Sequence, residues 1–160
     1  MKKILIAMIL GVLFTSCVTY TPPIKKDIVK TKDFTQSYDE VWAKITNWFT
    51  TKGLPIKNVD KNSGLITSEY KLDNMPSYTK YGSPTATSLY MDCGVGGYLS
   101  AEGGTINVLV IKKDNFVNVT INAFFSSYLS YSGYTPPQSV RATCFSNGTL
   151  EKEIFDFIGK

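Results

Sequence analysis

Histidine is absent from this chain of 160 residues, which removes every triad, general base and metal cluster that depends on imidazole. Three thiols remain, at Cys17, Cys93 and Cys144. A thiol works as a nucleophile when a neighbouring base activates it, so none of the three reads as catalytic here. The carboxylates are scattered. Asp39 and Glu40 fall at a predicted helix start and favour its macrodipole, as do Glu151 and Glu153 in the first turn of the last helix. Asp60 belongs to turn chemistry. Asp92 and Glu69 are the one candidate pair of partly buried acids, and nothing in their spacing joins them. The run GVGG at 94–97 lacks the lysine and the strand–loop–helix setting of a phosphate loop, and reads as a loop or bulge. No CxxC, HExxH or acidic calcium loop occurs, so neither a metal nor another cofactor is expected, and the chain does not read as an enzyme.

Tyrosine is the remaining candidate chemistry. Tyr78 and Tyr81 fall in a polar segment, 73–87, that carries two prolines. Tyr128, Tyr131 and Tyr134 fall in SSYLSYSGYTPP, read as a loop over 126–138. Tyr set among Ser and Gly builds adaptable binding surfaces, with a large ring, few rotamers and a polar tip. Rings packed on the core at strand ends are the plainer alternative.

The N-terminus has its own logic. Lys2 and Lys3 precede an apolar run from Ile4 to Phe14, eleven residues long. Spanning a bilayer takes about 20. Thr15, Ser16 and Cys17 follow. The order basic, apolar, small, small, Cys resembles the lipobox of bacterial lipoproteins, with Phe14 where that family usually has Leu. The resemblance implies cleavage before Cys17 and acylation of its thiol and new amine. Several acyl chains anchor stably, at about 0.8 kcal/mol per buried CH₂. Losing Lys2 and Lys3 lowers the formal charge of +4 by two. No dense basic stripe remains, so nucleic acid is not an expected partner. Lys25, Lys26, Lys30 and Lys32 read as a solvated tether with at most weak attraction to anionic head groups. Val18 after the lipidated Cys would permit delivery to the outer membrane of a Gram-negative cell. The sequons at Asn118 and Asn147 read as coincidence there.

Cys93 and Cys144 then form an even pair in an exported chain, where disulfides persist. A bridge closing that loop would stabilise by about 4 kcal/mol on the chain-entropy argument. Two free buried thiols are the alternative.

The elements that must position these residues follow from periodicity. The composition, 43% hydrophobic and 19% charged, fits one globular domain with an ordinary core. Residues 1–16 read as the leader, 17–36 as a lipid-anchored tether and 37–160 as a single domain. Ser37 and Glu40 make a capping box. Val41, Trp42, Ile45, Trp48 and Phe49 then trace one helical stripe, and Gly53 is placed to end it. Short strands are expected at 55–59, 65–72, 88–93, 105–112, 116–125 and 139–145. The Gly-rich stretch 94–104 reads as a loop. The hairpin around Lys113-Asp114-Asn115 is the strongest strand signal. In it Val117, Val119, Ile121, Ala123 and Phe125 share one face, while Phe116, Asn118, Thr120, Asn122 and Phe124 share the other. A closing helix at 149–158 carries Leu150, Ile154, Phe157 and Ile158. The expected class is α+β: a helix, about six antiparallel strands in a curved sheet, and a C-terminal helix.

The stretch FTQSYDEVWAKITNWFTTKGLPIKNVDKNSGLITSEY, residues 34–70, resembles a unit of bacterial envelope lipoproteins. It is similar to the helix-grip domains of the lipoprotein C subunit of the β-barrel assembly machinery. The likeness covers about a quarter of the chain and implies a helix-grip-like fold and an envelope location. That subunit has two such domains and a long docking segment, so its partner-binding residues do not carry over. The expectation is a non-enzymatic envelope module, anchored in the membrane through Cys17. It would bind a protein or glycan through its sheet face or tyrosines, as an accessory of outer-membrane assembly. The alternative is a periplasmic carrier of a small apolar ligand held between sheet and helices.

Overall fold

A computed structural model of the chain describes residues 21–71, 90–94, 98–131 and 138–160. Its elements are β1 (Thr31–Phe34), α1 (Tyr38–Thr51), β2 (Ile56–Asp60), β3 (Leu65–Lys71), β4 (Met91–Asp92), β5 (Tyr98–Lys112), β6 (Val117–Tyr131), β7 (Gln138–Ser146) and α2 (Thr149–Gly159). The class is α+β, with a seven-stranded antiparallel sheet in the order β2-β3-β5-β6-β7-β4 and β1 beside β6. The C-terminal helix packs against the first.

Local chemistry explains the helices. Ser37 Oγ accepts the Glu40 N–H at 3.3 Å, which satisfies one of the orphan donors at the start of α1. The stripe Val41, Trp42, Ile45, Trp48 and Phe49 is buried as its spacing requires. Gly53 follows with φ +66°, and Leu54 N–H closes back on Phe49 O at 3.0 Å. α2 starts on an Asx contact, with Asn147 Oδ1 accepting from Thr149 N–H at 3.0 Å. Its last turn is capped by the other helix region. Gln36 Nε2 and Lys44 Nζ donate to Ile158 O at 3.1 and 3.0 Å.

Of the two carboxylates expected in the first turn of α2, Glu151 lies there and Glu153 falls in the next turn. Glu151 is buried, and its Oε2 accepts from Ser146 Oγ at 2.7 Å. Glu153 is half-buried and tied to Tyr90 Oη and Lys52 Nζ at 3.0 and 2.9 Å. Both lie where α2 meets its neighbours, so tertiary contacts have replaced solvent around them.

The core is one cluster between the helices and the inner face of the sheet. Trp48, Phe49, Ile154 and Ile158 meet Ile66, Ile106, Val108 and Ile121 there. Burying each such side chain contributes roughly 1.5–3 kcal/mol. The expected inner face of β6 holds: Val117, Val119, Ile121 and Phe125 are buried, and Ala123 packs beside them.

Three boundaries differ from the sequence reading. β5 begins at Tyr98, inside the stretch read as a Gly-rich loop, and β6 runs on to Tyr131 through Ser126–Tyr131, also read as loop. The reason is pairing. β6 is flanked by β5 along its length and by β7 over residues 125–131, so its backbone groups are satisfied despite loop-like composition. Gly104 fits this hairpin because the Phe125 ring crosses it. A Cβ there would sit 2.6 Å from Phe125 Cδ1. The third difference lies in the segment read as tether, where Thr31–Phe34 form β1 and pair with β6. Upstream, Lys30 O accepts from Ile121 N–H at 2.8 Å. Thr21 presses on Gly94 (φ +87°), where a Cβ would lie 2.2 Å from Thr21 O. Residues 21–34 are therefore strapped to the domain.

Candidate functional site

The helices pack on one face of the sheet, and among the described residues no helix covers the other. Phe124 is 64% exposed on that outer face, with Tyr128 at 44% further along β6 and Phe116, just before the strand, at 39%. Register builds a row across four strands beside them. Asn58 pairs with Thr67, Thr67 with Asn107, and Asn107 with Asn122. Directly opposed residues share a face, so these four side chains form one line of amides and a hydroxyl roughly 14 Å long. Thr67 Oγ1 donates to Asn107 Oδ1 at 3.0 Å, which engages the Asn107 acceptor and leaves its NH₂ donors without a partner among the described residues. The Asn58 and Asn122 amides make no hydrogen bond to another described residue. The next row toward the β6 C-terminus is Glu69, Thr105 and Phe124. The row on the opposite side is Asp60, Leu65, Leu109 and Thr120, with the two leucines half-buried and Asp60 exposed at the β2 end.

Charge is confined to the margins of this face. Glu69 is paired with Lys57 at 3.1 Å, and Arg141 Nη2 donates to Ser126 Oγ at 3.4 Å. Asp33 accepts from Asn118 Nδ2.

The candidate residues separate into several groups. Cys93 and Cys144 are bridged, with Cα atoms 4.3 Å apart. They continue the β4–β7 ladder, where Met91 opposes Ser146 and Asp92 opposes Phe145. Such a bridge fits an oxidising, extracytoplasmic compartment. Tyr128 and Tyr131 lie in β6 and not in a loop, with Tyr131 opposite Gln138. Cys17, Tyr78, Tyr81 and Tyr134 lie outside the described residues. Glu69 and Asp92 are not brought together. They sit on β3 and β4, separated by β5, β6 and β7, and Asp92 Oδ1 accepts from Gly94 N–H at 3.0 Å. Phe124 and the Asn/Thr row did not stand out as a site in sequence. The alternation of β6 was the signal for Phe124 and Asn122; the rest of the row has no local signal.

A polar groove of about 330 Å³ lies between the start of α1 and the β5–β6 turn, lined by Ser37, Asp39, Lys112, Lys113 and Phe116 among others. Asp39 is committed there. Its hydrogen bond to Lys61 at 2.8 Å, and then the lysine charge, hold its carboxyl below the usual aspartate value. Among the described residues no cluster of His, Cys, Asp or Glu could hold a metal ion, and no helix is long and apolar enough to cross a membrane. No protein-family model and no curated protein matches the chain.

Proposed function

We propose that the chain is a lipid-anchored, non-enzymatic module of a Gram-negative envelope, held in the outer membrane through acylated Cys17. It binds a protein or glycan partner on the outer face of its sheet. One observation carries this reading: Phe124 stands 64% exposed beside a row of polar side chains on the face opposite the helices. Aromatic anchors set in a polar surround are how recognition surfaces gain area and orientation together. The likeness of residues 34–70 to envelope lipoproteins supports the location and an accessory role in outer-membrane assembly. The strap adds a geometric consequence. Thr21 is four residue steps beyond Cys17, a reach of at most ~14 Å. Thr21 is seated on Gly94, just past β4, so the β4 edge faces the bilayer. β2 lies at the opposite edge, about 24 Å further out at five strand spacings.

The test is crosslinking of mature protein in the envelope, comparing the natural chain with a Phe124→Ala/Tyr128→Ala variant. A partner captured by the first and lost by the folded second supports the module. Equal capture by both removes the outer face from the reading. Mass analysis of the extracted protein tests the anchor separately, because an unacylated Cys17 sinks the lipoprotein assignment alone. Quenching of Trp42 and Trp48 by a fatty acid, with no partner captured, would favour the apolar-ligand carrier.

A further inference from the structure

We infer that the outer face is a subsite for a neutral, extended polysaccharide laid across the strands. Its binding line is Asn58, Thr67, Asn107 and Asn122, and Phe124 is its stacking platform. The inference rests on the module reading above and narrows its partner to one chemical class.

Four features converge on this ligand. The first is chemical type. Amides and a hydroxyl donate and accept at once, which matches sugar hydroxyls that do the same. Asn107 has its acceptor oxygen engaged by Thr67 and so presents donors, while Asn58 and Asn122 present both kinds of group. The second is pitch. Neighbouring strands stand about 4.8 Å apart, so the row repeats at close to the length of one pyranose in an extended β-linked chain. Four consecutive strands contribute one group each, and a straight chain could address them in turn. The third is the flanking surface. Pyranose rings have polar rims and apolar C–H faces. Phe124 borders the amide line on one side, and the half-buried Leu65–Leu109 pair borders it on the other. The fourth is electrostatic. The line carries no charge, and Glu69 at its margin is neutralised by Lys57. A polyanion would find no cation in the line. Among the described residues the one carboxylate near it outside an ion pair, Asp60, stands at the β2 end of the Leu65–Leu109 row, where a polycation would meet a single charge. The occupant that matches is uncharged.

Phe124 is the residue whose cost is otherwise unexplained. It is a large ring in water, two residues from Asn122 on the same face of β6 and opposite Thr105. A sugar stacked on it would place its rim over Asn122.

The experiment is titration of the bridged domain, residues 21–160 with the Cys93–Cys144 disulfide intact, with β1,4-linked hexamers of glucose and of N-acetylglucosamine. Heparin serves as the charged control. Binding is read by calorimetry and by perturbation of Asn side-chain NH₂ resonances. At least one neutral hexamer is expected to bind and to shift the Asn107 and Asn122 amides. Phe124→Ala should weaken binding about tenfold or more, and Asn122→Ala about three- to tenfold. Both positions are on the outer face, so a melting temperature close to that of the unaltered chain shows that the fold is kept. The inference is overturned if neither hexamer shifts an outer-face amide at millimolar concentration. It is equally overturned if binding survives both substitutions, or if heparin binds more tightly than either hexamer. If the hexamers fail while the Phe124→Ala/Tyr128→Ala variant still loses a protein partner in the envelope, the glycan inference falls and the module stands. If neither is lost, both fall.

Discussion

Phe124 and Phe125 are consecutive in β6, yet one is 64% exposed and the other 4%. The two faces of that strand divide in the same way. Val117, Val119 and Ile121 join Phe125 under the helices, while Asn118, Thr120 and Asn122 lie with Phe124 on the outside. Residue type does not separate the two phenylalanines. Parity does, because successive side chains on a strand point to opposite faces. The inner ring serves the fold, and the outer ring is available for recognition.

Substitutions can break that contrast or sharpen it. Phe125→Ala should produce the largest effect, a loss of about 3–5 kcal/mol in denaturant unfolding, because a buried ring leaves a cavity. A loss under about 1 kcal/mol would mean the inner face is not the packed side. The Cys93→Ser/Cys144→Ser variant comes next, at about 2–4 kcal/mol, since the bridge closes a separation of 51 residues. Equal stability of oxidised and reduced protein would remove the bridge from the account. Ser146→Ala should cost about 1–3 kcal/mol, because Glu151, 1% exposed, then loses its hydrogen bond to that hydroxyl. An unchanged unfolding midpoint would show that the Glu151 carboxyl has found another partner. Phe124→Ala should change stability by under about 0.5 kcal/mol while abolishing partner capture. A destabilisation matching that of Phe125→Ala would erase the difference between the faces.

The smallest expected effect is a pH dependence carried by exposed aspartates. Asp39, Asp60 and Asp156 are each held below the ordinary value of 3.8, by Lys61, by Ser63 with Asn62 N–H, and by Lys152 respectively. A carboxylate depressed in the folded state contributes stability fully above its unfolded value and loses it as pH falls through the folded one. Stability should therefore begin to decline as pH drops below about 4, and only gently, since all three groups are solvent-exposed. Melting temperatures measured from about pH 6 to pH 2 check this. Lys61→Met should flatten the part owed to Asp39.

Much of the fold was legible because it is written locally. The Ser37 cap, the stripe from Val41 to Phe49 and the alternation of β6 each repeat within a few residues, and the structure keeps all three. The segment Ser126–Tyr131 misled because Ser and Tyr are common in loops. Its strand character comes from the β5 and β7 partners. β1 was hidden for a similar reason. Four residues of mixed polarity have no strand signal of their own and become a strand by pairing with Val117–Thr120.

The same division applies to the candidate site. Local order along the chain was enough to give the α+β class, the inner face and the parity that turns Phe124 outward, since each depends on neighbours a turn or two residues away. It could not place Asn58 beside Thr67, or Asn107 beside Asn122, in one line. Those positions meet through cross-strand register, and a slip of one residue would send a strand's whole outer set inward. Register is fixed by the combined burial of the opposite face and by the turns between strands. The line of amides thus exists only once the sheet has closed over its core.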